Sequence, residues 1–487
     1  MTAASPDRAS GAATAAPVIA IVGAGPAGVY AADLILARDP GARVDLFEKL
    51  PAPYGLVRYG VSPDHPRIKK IQDALHRVLE HPGIRLHCNV EIGADLTIDE
   101  LRNAYDAVVL ATGADRDAEL GIPGADLPGS FGGADFVAWY DGHPDAAPEW
   151  PLDAESVAVI GAGNVALDVA RMLITHAEHL AHTDIPDHVE AAFAQNPLRD
   201  LHLLIRRGPA DVRFSPLELR ELGTRHDVDV IVDPAEVGPD EHTERMIAQF
   251  TQRRLIVETL REWAAIDPAD RTASRRVHLH FGQQPARLIG PDRVTALEAE
   301  RTRADALGRY AGTGETVRHE VGAVYRTIGY RSSPVRGVPF DEALGRIPEA
   351  DGRVLDPGGA PIPRLYATGW IRRGPVGLIG STKSDAAETV ASLFADLESG
   401  GSRPGRGAER APAAERETLL SRLDARVDWA GWLRIDTAER TLGAIRERER
   451  TKIADRAELL RCAAAPDPVS DEAPSAPDPA AALENAR

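Results

Sequence analysis

Cysteine is scarce in this sequence, cationic excess is absent and no apolar run is long. Cys88 and Cys462 are the only thiols, far apart and in neither a CxxC nor a metal-ligand cluster. That excludes a disulfide framework and a dithiol redox centre and leaves no metal site to read. It predicts two small thiols in a reducing, cytoplasmic setting. The longest apolar stretches are strand-sized, short of the roughly 20 residues that a membrane-crossing helix needs. A formal charge of −18 argues against a general nucleic-acid binder, because phosphate contacts need a basic surface. Any acidic partner must meet a local basic patch. Residues 1–16 (MTAASPDRASGAATAA) lack the apolar core of a secretory signal, and their single arginine, Arg8, sits beside Asp7, which is too little for a basic transit helix. They read as a disordered tail.

What is present is organised around residues 18–28, VIAIVGAGPAG. This wholly apolar run reads as a buried parallel strand, and it turns through Gly23, Gly25 and Gly28 into the helical pattern AGVYAADLILAR. Gly23 permits the tight turn, Gly25 lets backbone approach a pyrophosphate and Gly28 lets helix and strand pack closely. The anion then sits on the helix N-terminus. Glycines at this spacing are weak evidence alone, but a second strand, RVDLF, ends in Glu48 about twenty positions after Gly28, where a carboxylate accepts a ribose 2′-hydroxyl. Beyond it, residues 49–70 are too rich in Pro and Gly for regular structure and form a shaped loop. A helix over 71–81, a strand over 84–92 and a helix over 96–104 follow, the last capped by Thr97 with Glu100 three residues on. The strand at 105–111 ends the first domain at residues 112–113.

The opening device recurs at residues 156–174: strand SVAVI, a turn through Gly161, Ala162, Gly163 and Asn164, then helix VALDVARMLI, with Ala166 where the third glycine would stand. Two such units imply two dinucleotides. The next strand, LHLLI, ends in Arg206 and Arg207, where an NAD site would put an acid and two guanidiniums suit a 2′-phosphate. The interval from Ala166 to Arg206 is about twice the usual one, so residues 176–194 are expected to loop out as a helical insertion. Residues 226–325 mix charged helical stretches with strands such as RVHLHF and RVTALEAE, and 323–329 read as a strand back to the first domain. Residues 364–394 begin as a strand, pass a Gly-rich turn and enter a helix whose N-terminus, beside Trp370, is a seat for a flavin ring. Residues 400–416 read as a flexible connection, 463–487 as a disordered tail, and 429–449 as a helix packed on the first domain.

These motifs resemble the adrenodoxin reductase family of NADPH-dependent ferredoxin reductases over nearly all of residues 17–462. The resemblance is carried by PYGLVRYGVSPDHPRIK, GAGNVALDVARMLI, RRGP followed by LELREL, and ATGWIRRGPVGLIG. It implies a glutathione-reductase-like α/β fold of two Rossmann-like domains: a discontinuous FAD domain (17–113 and 330–462, with a C-terminal helical region) around an NADPH domain (114–329). Carried over by motif, FAD would touch Ala27, Glu48, Leu56, Ile92, Trp370 and the Gly377, Leu378, Ile379 turn. NADPH would lie on Gly163, Asn164, Val165 and Ala166, with Arg206, Arg207 and Glu218 near the adenosine phosphate and Gly377 close to the nicotinamide. His65, in SPDHP, resembles the family histidine near the flavin, paired with Glu221. Its implied role is positioning and electrostatics, because hydride transfer to flavin needs no protein nucleophile. Two positions depart: Leu378 stands where the family commonly has valine, and Ser215, Pro216 replace a more Thr-rich pair ahead of LELREL.

The reading is an FAD flavoprotein, a ferredoxin–NADP(+) reductase, that takes a hydride from NADPH and passes single electrons to a ferredoxin. A disulfide reductase would need a redox cysteine pair, and a glutamate-synthase-like small subunit an N-terminal cysteine-rich domain; the sequence has neither. A non-catalytic redox sensor binding both nucleotides is the alternative of a different class. The arginine-rich segments 253–261 and 271–276 are expected to steer an acidic ferredoxin.

Overall fold

Strand Val18–Val22 is apolar throughout because it is buried on both faces. Ile19 and Ile21 enter one core with residues of helices Pro26–Arg38, Ile379–Glu398 and Trp429–Ile445, and Ala20 and Val22 enter another with Leu101, Tyr105 and Ile371. Such a strand belongs in the middle of a parallel sheet covered by helices. The computed structural model describes residues 16–305, 308–377, 379–399 and 413–466. The first sheet runs Glu349–Ala350, Arg353–Leu355, Pro361–Ala367, Ala107–Leu110, Val18–Val22, Arg43–Glu48, Ile84–Cys88. Its five members from Pro361–Ala367 onward are parallel, and the two short edge strands are antiparallel.

A second sheet is parallel throughout, in the order Ser130–Gly132, Ala323–Arg326, Ser156–Ile160, Asp200–Ile205, Arg275–Phe281, Val228–Val232. Beside it lies an antiparallel sheet of Gln283–Ile289, Ala296–Ala304 and Tyr310–Glu320. The fold is thus α/β with two Rossmann-like sheets. The chain crosses between them at Arg116–Asp117 and Tyr330–Arg331, and the two crossings pair antiparallel. Ala323–Arg326, expected to lead back to the first domain, is instead a full strand of the second sheet, and the return follows at Tyr330.

The insertion expected to loop out does not. It forms a turn at Ala177–His179 and a helix at Asp187–Ala194, and Leu180, Ile185, Val189 and Phe193 are all buried in the core of the second sheet. Val189 and Phe193 are one helical turn apart, so the short helix presents one apolar face. The expected cap of helix Ile98–Ala104 is a reciprocal Thr97–Glu100 capping box. The flexible segments expected at 1–16, 400–416 and 463–487 fall almost wholly outside the described residues, although Ala413–Leu420 is helical and helix Arg456–Ala464 extends into the last.

Buried charge ties the two sheets together. Lys452 Nζ donates to Asp141 Oδ1 (2.6 Å) and to the Arg58 carbonyl (2.9 Å), and Lys69 Nζ donates to Asp184 (2.7 Å) and Asp141 (3.1 Å). Asp141 ends helix Gly133–Tyr140 on the side of the second sheet, whereas both lysines belong to segments packed on the first. Arg58 donates to Glu439 (3.0 Å), and both side chains are essentially inaccessible to solvent.

Candidate active site

At the end of strand Val18–Val22 the backbone leaves no room for side chains. Gly23 has φ +107, and a Cβ on it would stand 2.4 Å from the Ala111 carbonyl oxygen; a Cβ on Gly28 would stand 1.9 Å from the Gly23 oxygen. Helix Pro26–Arg38 can therefore start directly on the strand, and a cavity of about 340 Å³ opens in front of it. Gly23, Gly25, Ala27, Glu48, Leu56, Ile92 and Trp370 all line that cavity, together with Tyr330 and Val165. Gly28 serves the packing beneath it.

Glu48 ends its strand buried, accepting from the backbone N–H groups of Ala24 (2.9 Å) and Leu50 (3.1 Å). Burial pushes its carboxyl above the ordinary value against the pull of those two donors. Each oxygen keeps a lone pair for a hydroxyl inside the cavity. Trp370, which also lines the cavity, opens a one-turn helix, Trp370–Arg373, after Gly369, whose backbone N–H is held by the Asp385 carboxylate. Gly377, with φ +92, precedes helix Ile379–Glu398, while Leu378 lies outside the described residues.

Val165 belongs to helix Asn164–Ile174, so the second glycine turn opens onto the cavity made by the first. Gly163 caps that helix, and a Cβ there would meet nothing within 4 Å. Asn164 Oδ1 accepts from Ser215 N (2.9 Å), and Ala166 is fully buried at the turn. Ser215 in turn caps helix Pro216–Leu222 by accepting from Glu218 N, with Pro216 at the first helical position, where its missing N–H costs nothing. The departure from the Thr-rich pattern thus leaves the helix start intact. Arg206 and Arg207 follow strand Asp200–Ile205, and among the described residues no carboxylate pairs with either guanidinium.

His65 sits in a charged cluster larger than the sequence indicated. Its Nε2 lies 3.2 Å from Asp168 and 3.3 Å from Glu218, while Glu221, the expected partner, is 3.6 Å from Nδ1. That Glu221 oxygen is buried with no hydrogen-bond partner, so it acts on the imidazole through charge alone. Glu218, expected near the adenosine phosphate, has its carboxylate 3.3 Å from Arg171 and 3.3 Å from His65. Arg171, fully buried, also binds Asp64 (2.7 Å) and Asp168 (2.6 Å) and touches the His65 ring. Burial and the Arg171 guanidinium push the imidazole down, but hydrogen bonds to Asp168 and Glu218 outweigh them and raise it to about 9. Asp64 is held well below the usual carboxylate range: burial opposes its ionisation and the Arg171 and Arg225 guanidiniums override that. Asp64, Asp168 and Arg171 were not foreseen. The available signal was that Asp168 and Arg171 are the only charges in VALDVARMLI, three apart and hence on one face of a helix otherwise made for a core.

The pyridine nucleotide-disulphide oxidoreductase family pattern matches residues 17–196. The NADPH-ferredoxin reductase FprA of Mycobacterium tuberculosis is 39% identical over 458 residues, spanning 91% of this chain and 98% of the relative. The mitochondrial NADPH:adrenodoxin oxidoreductase of Arabidopsis thaliana is 36% identical over 462 residues, 92% of this chain and 95% of that protein. A solved structure of M. tuberculosis FprA in complex with NADPH superimposes with a TM-score of 0.84 at 38% identity, covering 92% of this chain and 99% of that one. The chain belongs to the NADPH-ferredoxin and adrenodoxin reductase family.

The arginines of 253–261 and 271–276 do not make a free basic patch. Arg253 pairs with Asp211, Arg254 with Glu258, Arg261 with Glu244 and Arg276 with Asp200. Arg271 donates to the carbonyls of Trp263 and Ile266, and buried Arg275 to those of Ile174, Thr175 and Asn196. The acidic excess of the chain puts a carboxylate or carbonyl within reach of each. No described helix is long and apolar enough to cross a membrane.

Proposed function

We propose that the protein is an FAD-dependent NADPH:ferredoxin oxidoreductase in which residues 17–113 and 330–462 hold FAD and residues 114–329 hold NADPH. The observation that carries this reading is that both glycine turns face one cavity: Glu48 and Gly25 on one wall, Val165 on another. The cavity suits FAD chemically. Its glycine turn presents a helix N-terminus to a pyrophosphate, buried Glu48 accepts from a ribose, and Trp370 and Tyr330 offer apolar walls to a ring system. A bound flavin supplies the conversion between a two-electron donor and a one-electron acceptor.

The rest is the work of the chain. Val165 and the open face of Gly163 seat the nicotinamide nucleotide, and Arg206 and Arg207, paired with no carboxylate among the described residues, take its 2′-phosphate. One turn along the helix from Val165, the Asp168 carboxylate lies 3.2 Å from His65 Nε2. The imidazolium thereby sets a fixed positive charge beside the site, and Arg171 holds the surrounding carboxylates in place. The electron acceptor is a one-electron iron–sulfur carrier, the class named by the relatives. The test is direct: the purified protein should be yellow with non-covalent FAD and should reduce cytochrome c with NADPH only when a ferredoxin is added. Yellow protein that binds NADPH but passes no electrons to ferredoxin or to ferricyanide would favour the non-catalytic sensor.

A further inference from the structure

The second sheet carries a cluster of histidines that the redox site does not use. His202 on strand Asp200–Ile205 and His280 on strand Arg275–Phe281 project from neighbouring strands of the six-stranded sheet, and His319 on strand Tyr310–Glu320 reaches them from the small antiparallel sheet. One ring nitrogen from each lies within 4.8 Å of the other two, and none of the three residues lines the redox cavity. We propose that His202, His280 and His319 form a binding site for a divalent transition-metal ion of the zinc class, which clasps the small sheet to the large one.

The cluster offers three imidazole nitrogens, ligands of the kind a zinc-class ion takes. Two nitrogens bound to zinc at about 2.0–2.1 Å with a tetrahedral angle stand about 3.3 Å apart. His202 Nδ1 and His280 Nε2 are 3.0 Å apart, already near that spacing. His319 Nε2 faces Gln283 Oε1 at 2.8 Å, which fixes Nε2 as the protonated nitrogen and leaves Nδ1 with its lone pair free. An imidazole anchored through its outer N–H by an amide oxygen is the usual support for a metal-bound histidine. His319 and Gln283 are buried, whereas His202 and His280 are half-buried, so an ion can enter from their side.

The charged groups around the cluster tolerate a cation. Arg301, the nearby positive group, is engaged by Glu236 (3.4 Å) and Glu315 (3.5 Å). Asp200 binds His278 (2.8 Å), whose ring stacks on His202 at 4.7 Å between centroids. When the ion binds, the proton shared between His202 and His280 moves to an outward ring nitrogen, and both inner lone pairs turn to the metal. In the sequence these ligands are scattered over more than a hundred positions with no recognisable spacing, which is why the chain reads as having no metal site.

The experiment is a titration of tag-free, metal-stripped holoenzyme with Zn²⁺ by calorimetry and with Co²⁺ by visible absorption. The expected result is one saturable site per chain, with the d–d bands of four-coordinate cobalt. His280→Asn and His319→Asn should each weaken Zn²⁺ binding by at least about 100-fold, and Gln283→Leu by about 10- to 100-fold through the loosened His319 ring. NADPH–ferricyanide turnover, which this site does not serve, should be unchanged and certifies that each variant is folded. Should one histidine variant fail to fold, His202→Asn gives the same reading. Absence of a saturable Zn²⁺ site in the wild-type protein, or equal binding by the folded variants, overturns the proposal.

Discussion

Replacing Arg206 and Arg207 together with alanine tests the nucleotide assignment at its most exposed point. Among the described residues neither guanidinium is neutralised by a carboxylate, so the positive charge is available to a ligand and its removal leaves no buried group unpaired. A charge-assisted hydrogen bond is worth roughly 1.5–3 kcal/mol. Arg206 is exposed and Arg207 only half-buried, so solvent screening argues for the lower figure, about 3 kcal/mol for the pair. At about 1.4 kcal/mol per decade this is a loss of about 10² in kcat/KM for NADPH. It should fall on KM, because the 2′-phosphate lies far from the reacting carbon and interacts equally in ground and transition states. NADH, which lacks the phosphate, should be used equally by wild type and double variant. Steady-state ferricyanide reduction with both nucleotides measures all four constants. Equal loss with NADPH and NADH, or a loss confined to kcat, would refute the reasoning and make the arginines structural.

Three other changes probe different links. Gly25→Ala should fold normally, since the added Cβ comes no nearer than 3.8 Å to the protein, yet release FAD on dialysis; Gly28→Ala, whose Cβ would meet the Gly23 oxygen, should yield little folded protein, and the idea fails if both behave alike. Because His65 is raised to about 9 in the folded protein against an ordinary value of 6.5, the stability it adds over His65→Gln should be complete below about pH 6.5 and disappear as pH rises through 9; a pH-independent difference in urea midpoint would show that the imidazolium is not the species held by Asp168 and Glu218. Lys452→Met leaves the Asp141 carboxylate buried beside Lys69 alone and should cost about 3–5 kcal/mol of unfolding free energy, with a change under about 1 kcal/mol ruling out the lysine as a tie between the two sheets.

The parts legible from the chain were those whose cause is local. A glycine turn, the strand before it and the carboxylate after it lie within about thirty residues, and the steric reasons for Gly23 and Gly28 act on their immediate neighbours. What escaped was set by distant partners. Nothing around Glu218 announces Arg171 and His65, which come from other segments. The arginines of 253–261 and 271–276 looked free because their carboxylates, Asp211, Glu258, Glu244 and Asp200, mostly sit on other elements. The insertion at 176–194 carried its answer in Leu180, Ile185, Val189 and Phe193, a set of large apolar side chains that a solvated loop would not need.

The first sheet has a consequence for how the protein is made. Strand Ala107–Leu110 takes Pro361–Ala367 as its parallel partner, about 250 residues later, whereas every strand of the second sheet lies between Ser130 and Arg326. On a ribosome adding roughly 5–20 residues per second, the edge at Val108 therefore waits about 10–50 s for its neighbour, and the later half completes before the earlier one can close. During that interval an apolar strand edge is unpaired and prone to association with other nascent chains. Yield of the folded enzyme should accordingly respond to translation speed and chaperone supply, and a truncation just before Pro361 should leave a nucleotide-binding half that folds attached to one that does not.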